Sequence, residues 1–175
     1  SLFSASTPDV DAENKLVYIR EATSLFAVNA DTLAHSWSYL SVRFILAVQG
    51  VGRYTFLLTS TDVVCLDAST GKMVWSEAAN GVDYGVLDVN GKFGGFHVYN
   101  GSVFFYDAEK GLVRFSADPL LKTTRKLWSY LPSDVDTPLN SGSLSNIVNT
   151  PDGHIFFIYS GTMYAVSGGS GALLY

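Results

Sequence analysis

Charge is scarce in this chain. Asp, Glu, Lys and Arg make up 15% of its 175 residues, against roughly 25% in ordinary soluble domains. Low charge beside 47% apolar and 14% aromatic residues excludes a disordered chain, which needs the opposite balance. Basic residues are few: 11 Lys and Arg face 16 Asp and Glu, for a net charge of −5 and a pI near 5.0. That balance argues against nucleic acid as a partner, because phosphate recognition wants clustered Lys and Arg. No apolar run approaches the roughly 18 residues of a membrane-spanning helix. A single cysteine, Cys65, lies in the apolar run Val63-Val64-Cys65-Leu66. No disulfide can form within the chain, and Cys65 reads as a small buried hydrophobe. No methionine or signal peptide opens the sequence, so it reads as a processed or excised chain. One glycosylation sequon, Asn100-Gly101-Ser102, tilts the expected location toward an extracytoplasmic compartment, a secretory lumen or periplasm.

Chemical motifs are equally thin. His35, His97 and His154 fall in three different parts of the chain without metal-ligand spacing, so they read as structural or surface residues. Asp9, Asp11 and Glu13 alternate like the start of a calcium loop. The glycine and glutamate such a loop requires are replaced by Asn14 and Arg20. That segment and the similar Asp134/Asp136 pair read as solvated polar loops. No phosphate-binding glycine loop is present, and Gly168-Gly169-Ser170-Gly171 only loosely resembles a nucleophile elbow. The residues therefore point to no catalytic group, no cofactor and no metal.

What the chain has in quantity is turn residues and aromatics at regular spacing. In Leu66-Asp67-Ala68-Ser69-Thr70-Gly71-Lys72-Met73-Val74-Trp75 a polar residue ends an apolar run, Gly follows at the fourth place and an aromatic at the eighth. Asp67, Gly71 and Trp75 set this template. Asn29, Leu33 and Trp37 repeat it with Leu in place of Gly. Asp107, Gly111 and Phe115 repeat it, as do Ser167, Gly171 and Tyr175. The polar side chain caps a tight turn, glycine supplies a positive φ, and the aromatic opens the next strand. Two further turn families precede each copy. One holds Glu21 to Thr23, Ser60 to Asp62, Asn100-Gly101 and Ser160-Gly161. The other holds Gly50 to Gly52, Asn90-Gly91 and Pro151 to Gly153. Each unit thus reads as a meander of four short strands.

The last two copies lie farther apart than the others, and Trp128-Ser129-Tyr130-Leu131 echoes Trp37-Ser38-Tyr39-Leu40. The third unit ends at either Phe115 or Trp128. The segment before Trp128 holds an insertion, a short helix or an irregular excursion; Asp118-Pro119 is a helix start signal, and a helix would put Leu120, Thr124 and Trp128 on one face. Units of about 40 residues and four strands are propeller blades. The expected fold is all-β: a β-propeller or partial propeller of about four meander blades of four antiparallel strands. It forms a single domain over 1–175, with units at about 1–39, 40–77, 85–131 and 142–175.

Residues 66–75 resemble the repeat of the quinoprotein-like, pyrroloquinoline-quinone-like β-propeller family, which places Ala-Leu-Asp-x-x-Thr-Gly-x-x-x-Trp at its third-to-fourth-strand turn. The resemblance is strong over 54–75, weaker at 16–37 and 154–175, and degraded at 96–115. It implies one of several roles, since the family includes quinone-dependent dehydrogenases, outer-membrane assembly lipoproteins and luminal sensor domains. The dehydrogenases use a calcium, a catalytic Asp and a Trp stacked on the cofactor, and no motif here maps onto them. Trp37, Trp75 and Trp128 read instead as packing residues between blades. The expected role is a non-catalytic protein-interaction or scaffold domain, a luminal or periplasmic sensor or assembly factor, with protein partners bound by the connections 76–84 and 116–150. The alternatives are a fragment of a quinone-dependent dehydrogenase and a purely structural module of a larger protein.

Overall fold

The computed structural model describes residues 8–79, 95–107, 110–121, 123–132, 146–159 and 161–175. Every regular element among them is a strand. The chain divides into two compact units, described one at a time.

In the first unit, β1 (Asp9–Asp11), β2 (Leu16–Glu21), β3 (Ser24–Asn29) and β4 (His35–Leu40) form an antiparallel sheet in chain order. β5 (Ile45–Val51), β6 (Tyr54–Thr59), β7 (Asp62–Asp67) and β8 (Met73–Ala78) form a second. Strand β2 alternates buried and half-buried residues, whereas β6 and β7 are buried almost throughout. A strand covered on both faces has no reason to alternate. Leu16, Tyr18, Leu25, Ala27 and Trp37 of the first sheet pack with Ile45, Val48, Leu57, Val64 and Leu66 of the second.

In the second unit, β9 (Phe96–Tyr99), β10 (Ser102–Asp107), β11 (Gly111–Ser116) and β12 (Lys126–Tyr130) again pair in chain order. The last sheet holds β13 (Val148–Asn149), β14 (His154–Tyr159) and β15 (Thr162–Ser167). The chain past Gly171 runs beside β15: Leu173 bridges Val166, and Ala165 exchanges backbone bonds of 2.9 and 2.8 Å with Tyr175 and Leu174. An aromatic cluster joins these two sheets, with Phe157 lying 6.0 Å from Tyr106, 6.2 Å from Tyr130 and 5.6 Å from Tyr164.

The third sheet corrects the phase of the repeat. Asp107 and Gly111 close the turn between its second and third strands, and Phe115 lies in the third strand. The turn that matches Asn29 and Asp67 starts at Ser116. Asn29, Asp67 and Ser167 donate their N–H to the carbonyls of Ala34, Lys72 and Ala172; Ser116 donates to the more distant Arg125. A bulge marks the same register in three sheets, pairing Ala27 with Trp37, Cys65 with Trp75 and Arg114 with Trp128. Trp128 is therefore the fourth-strand aromatic of its sheet. A cap followed by glycine is a general turn signature, so Asp107-x-x-x-Gly111 satisfied the template one strand too early.

Of the two expected forms of the insertion, the described residues take the irregular excursion and not the short helix. Asp118 caps a single turn, accepting the Leu120 N–H on Oδ1 at 2.8 Å and the Leu121 N–H on its carbonyl at 3.3 Å. Buried Arg125 then donates to the carbonyls of Asp118 and of Leu121 (3.2 Å). Those carbonyls are the acceptors that a helix would use for its own ladder.

Candidate functional site

Each repeat turn is organised by its leading polar residue. Asn29 Oδ1 accepts the N–H groups of Asp31 and Thr32 at 3.0 and 2.9 Å. Asp67 Oδ1 accepts the Ser69 hydroxyl at 2.6 Å and the Ser69 N–H at 3.1 Å, while its Oδ2 takes Arg53 Nη2 at 3.1 Å. The Ser69 hydroxyl bond, outweighing desolvation and aided by Arg53 and Thr70, pulls the Asp67 carboxyl down to about 2. Gly71 and Gly171 have φ of +68° and +75°, and Leu33 accepts +58° at the equivalent place.

These turns receive tryptophans from the preceding sheet. Trp37 Nε1 donates to Ala68 O at 2.7 Å, and a Cβ on Gly71 would stand 2.6 Å from the Trp37 ring. Trp128 Nε1 donates to Gly168 O at 3.2 Å, and a Cβ on Gly171 would stand 2.7 Å from its ring. Glycine is thus required twice over, for its backbone angle and for contact with the indole. Each fourth-strand aromatic also meets a ring of its own sheet: Trp37 with Tyr18, Trp75 with Phe56, Trp128 with Phe104, and Tyr175 with Phe156, at 5.8–6.1 Å. Elsewhere, buried Asp107 accepts the Lys110 N–H and ammonium, Gly111 abuts Tyr130 O, and Phe115 packs edge-on to Phe105.

The acidic segment near the start is not a solvated loop. Asp9 Oδ2 lies 3.6 Å from the buried Arg20 guanidinium. Asp11 is buried and accepts the Asn14 N–H, the Asn14 amide and the Tyr18 hydroxyl. Tyr18 also meets Thr55 Oγ1 at 2.8 Å, Asn14 donates to Gly52 O at 2.6 Å, and Glu13 accepts the Gly52 N–H at 3.0 Å. Asp9 and Asp11 are spent within the first sheet, and Glu13, Asn14 and Tyr18 carry the bonds to the second. Burial, reinforced by Asp11, pushes the Tyr18 phenol far above its usual value. Among the described residues no three His, Cys, Asp or Glu side chains form a metal cluster; Asp134 and Asp136 lie outside them. His35 is exposed, His97 bonds Asn149 at 2.7 Å, His154 meets Asp152 at 3.2 Å, and Cys65 is buried.

Between the two sheets of the second unit lies a cleft of about 340 Å³, walled by Phe104, Arg114, His154 and the Gly168–Gly169 turn. Arg114 Nε donates to Ser102 Oγ at 2.9 Å, and Nη1 donates to the carbonyls of Gly168 and Gly169 at 2.6 and 2.9 Å. Its guanidinium lies 6.0 Å from the centre of the Phe104 ring. Partial burial lowers its pKa from the usual value. Arg114 has no place in the repeat template. Its one signal was an Arg inside the otherwise apolar strand Leu112 to Phe115.

Two exposed apolar sites accompany the cleft. The β4–β5 connection presents Leu40 and Val42, 75% and 92% exposed, next to Arg43 and Phe44. The Arg125-anchored turn presents Leu120, 82% exposed. Of the connections expected to bind partners, residues 80–84, 122 and 133–145 lie outside the described residues. No helix among the described residues is long and apolar enough to cross a membrane.

Residues 42–175 match the family model described as outer membrane protein assembly factor BamB. No curated protein sequence matches the chain. Among solved structures, BamB from Moraxella catarrhalis superposes with a TM-score of 0.71 at 17% identity, covering 97% of this chain and 51% of that one. The computationally designed protein Ika8 gives 0.68 at 10% identity, covering 98% and 48%. A europium-containing methanol dehydrogenase gives 0.65 at 15% identity, covering 97% and 41%. The chain thus spans about half the length of these structures or less. At such identities the likeness concerns the fold, and that fold is the β-propeller of pyrroloquinoline-quinone-like repeats.

Proposed function

Because the chain belongs to the family of the outer membrane protein assembly factor BamB, we propose that it is a non-catalytic protein-recognition and scaffold domain working in an extracytoplasmic compartment. The family match over residues 42–175 carries this reading. The family's description names an assembly factor for outer membrane proteins, which is work done on other proteins outside the cytoplasm. Physical chemistry supports it. Val42 and Leu120 stand in water on connections whose backbones are tied down: Ser41 and Ile45 bond to Thr23 and Ala22, and Arg125 holds the 118–121 turn. Pre-ordered apolar side chains lose little entropy on binding and gain by burial.

The test is site-specific photo-crosslinking in cells with the full-length protein. A crosslinker at position 42 or 120 should trap discrete protein partners, and one at Asp31, on an exposed turn of the repeat, should not. Compartment-selective labelling should reach the protein outside the cytoplasm. The absence of adducts at both positions, together with alcohol-dependent dye reduction on adding pyrroloquinoline quinone, would replace this reading with the dehydrogenase one.

A further inference from the structure

The cleft of the second unit departs from the repeat at Arg114 and in the Gly168–Gly169 turn. Arg114 stands opposite Trp128, where Ala27 stands opposite Trp37 and Cys65 opposite Trp75. Its guanidinium is held in place, yet by neutral acceptors only: Ser102 Oγ and the carbonyls of Gly168 and Gly169. No carboxylate among the described residues pairs with it; Asp152, which lines the same cleft, is engaged by Thr150 and His154 instead. The bonds engage Nε and Nη1 and leave Nη2 uncommitted on a residue that lines the cleft.

We propose that this cleft binds a carboxylate, the Asp or Glu side chain of a peptide segment of the protein partner, with Arg114 Nη2 as its donor; this rests on the protein-recognition reading above. A fixed cation with one free nitrogen suits a single carboxylate oxygen, whereas phosphate draws several donors or a bidentate fork. The volume of about 340 Å³ sits at the small end of ligand sites and fits a short peptide stretch. The rim is open at Gly169. A Cβ there would meet only Ser167 Oγ, at 3.7 Å, so no clash demands glycine. The equivalent turn positions carry side chains, Asp31 and Ser69. Gly168 differs, since its Cβ would stand 2.5 Å from Gly153 O. Gly169 can therefore be enlarged at the cleft wall without a clash.

The experiment is an NMR titration of the 175-residue chain, following the Arg114 Nε–H and Trp128 indole signals. The probes are acetyl-Gly-Glu-Gly-amide, its Gln counterpart, and succinate. Saturable shifts with the Glu peptide, about tenfold weaker with Gln for want of the charge-assisted bond, are expected. Arg114→Gln and Gly169→Val should each weaken Glu-peptide binding by about tenfold or more. If Arg114→Gln unfolds the chain, Gly169→Val decides alone. No shift, equal shifts from the Glu and Gln peptides, or undiminished binding by a folded variant overturns the site. Succinate binding as tightly as the Glu peptide overturns the peptide source. Crosslinks retained at positions 42 and 120 beside a silent cleft reject this inference and leave the protein-recognition reading standing.

Discussion

The two units build the same joint and fill it differently. In the first, Trp37 docks on the 67–71 turn over a continuous apolar core, and the polar groups at the edge are neutralised among Asp11, Asn14, Tyr18 and Thr55. In the second, Trp128 docks on the 167–171 turn in the same way, but it is half-buried, its strand partner is Arg114 and a cleft opens beside it. One scaffold can thus be sealed at one joint and left open at another by changing the cross-strand neighbour of the indole and the side chains of the turn that receives it. The indole dock supplies the geometry; the residue opposite it and the receiving turn differ between core and cleft.

Unfolding measurements test that contrast most directly. Trp37→Ala should destabilise the chain by about 3–5 kcal/mol in urea melts, and Trp128→Ala by only about 1–2, since less of the indole leaves water. Equal losses would mean the two joints are energetically alike. Gly71→Ala and Gly171→Ala should each cost about 1–3 kcal/mol, through backbone strain plus a displaced indole. Gly169→Ala should be near neutral, and a loss like that at Gly171 would show that the open rim is itself structural. Tyr18→Phe should cost about 1–2 kcal/mol, because Asp11 and Thr55 lose a buried partner.

Acid should separate the joints as well. Asp67 has a lowered carboxyl pKa of about 2 in the fold, against about 3.9 when unfolded. Its contribution is complete above the unfolded value and is lost as pH falls toward 2. The corresponding residue of the second unit, Ser167, does not titrate. Between pH 4 and 2 the Trp37 indole signal should therefore move while that of Trp128 stays put, and Asp67→Asn should flatten the first response. The size is on the order of 1 kcal/mol.

Much of this architecture was written in local residues. Asp67, Gly71 and Trp75 mark a turn and a strand because cap, positive φ and aromatic act within ten positions of one another. The same locality explains the failures. Asp107 and Gly111 satisfy the rule at a different turn, because a cap and a glycine do not encode which two strands they join. Ser116 and Arg125 close the true turn across an insertion that spacing alone could not align. Arg114 was passed over for another reason: its meaning lies in the turn it bonds, more than fifty residues farther along the chain. Asp11 looked solvated because nothing nearby in sequence reveals that Tyr18 and Gly50 will enclose it.

The docks also impose an order on synthesis. Strand β4 leaves the ribosome before the turn that receives its indole, so Trp37 waits for the chain to reach Gly71, and Trp128 waits for Gly171. At ~5–20 residues per second that delay is roughly two to nine seconds. During it, each nascent sheet carries a large uncovered ring at its outer strand. A chaperone that shields single aromatic rings on emerging chains would meet this protein at each of these two docks, at a moment set by the spacing between indole and glycine.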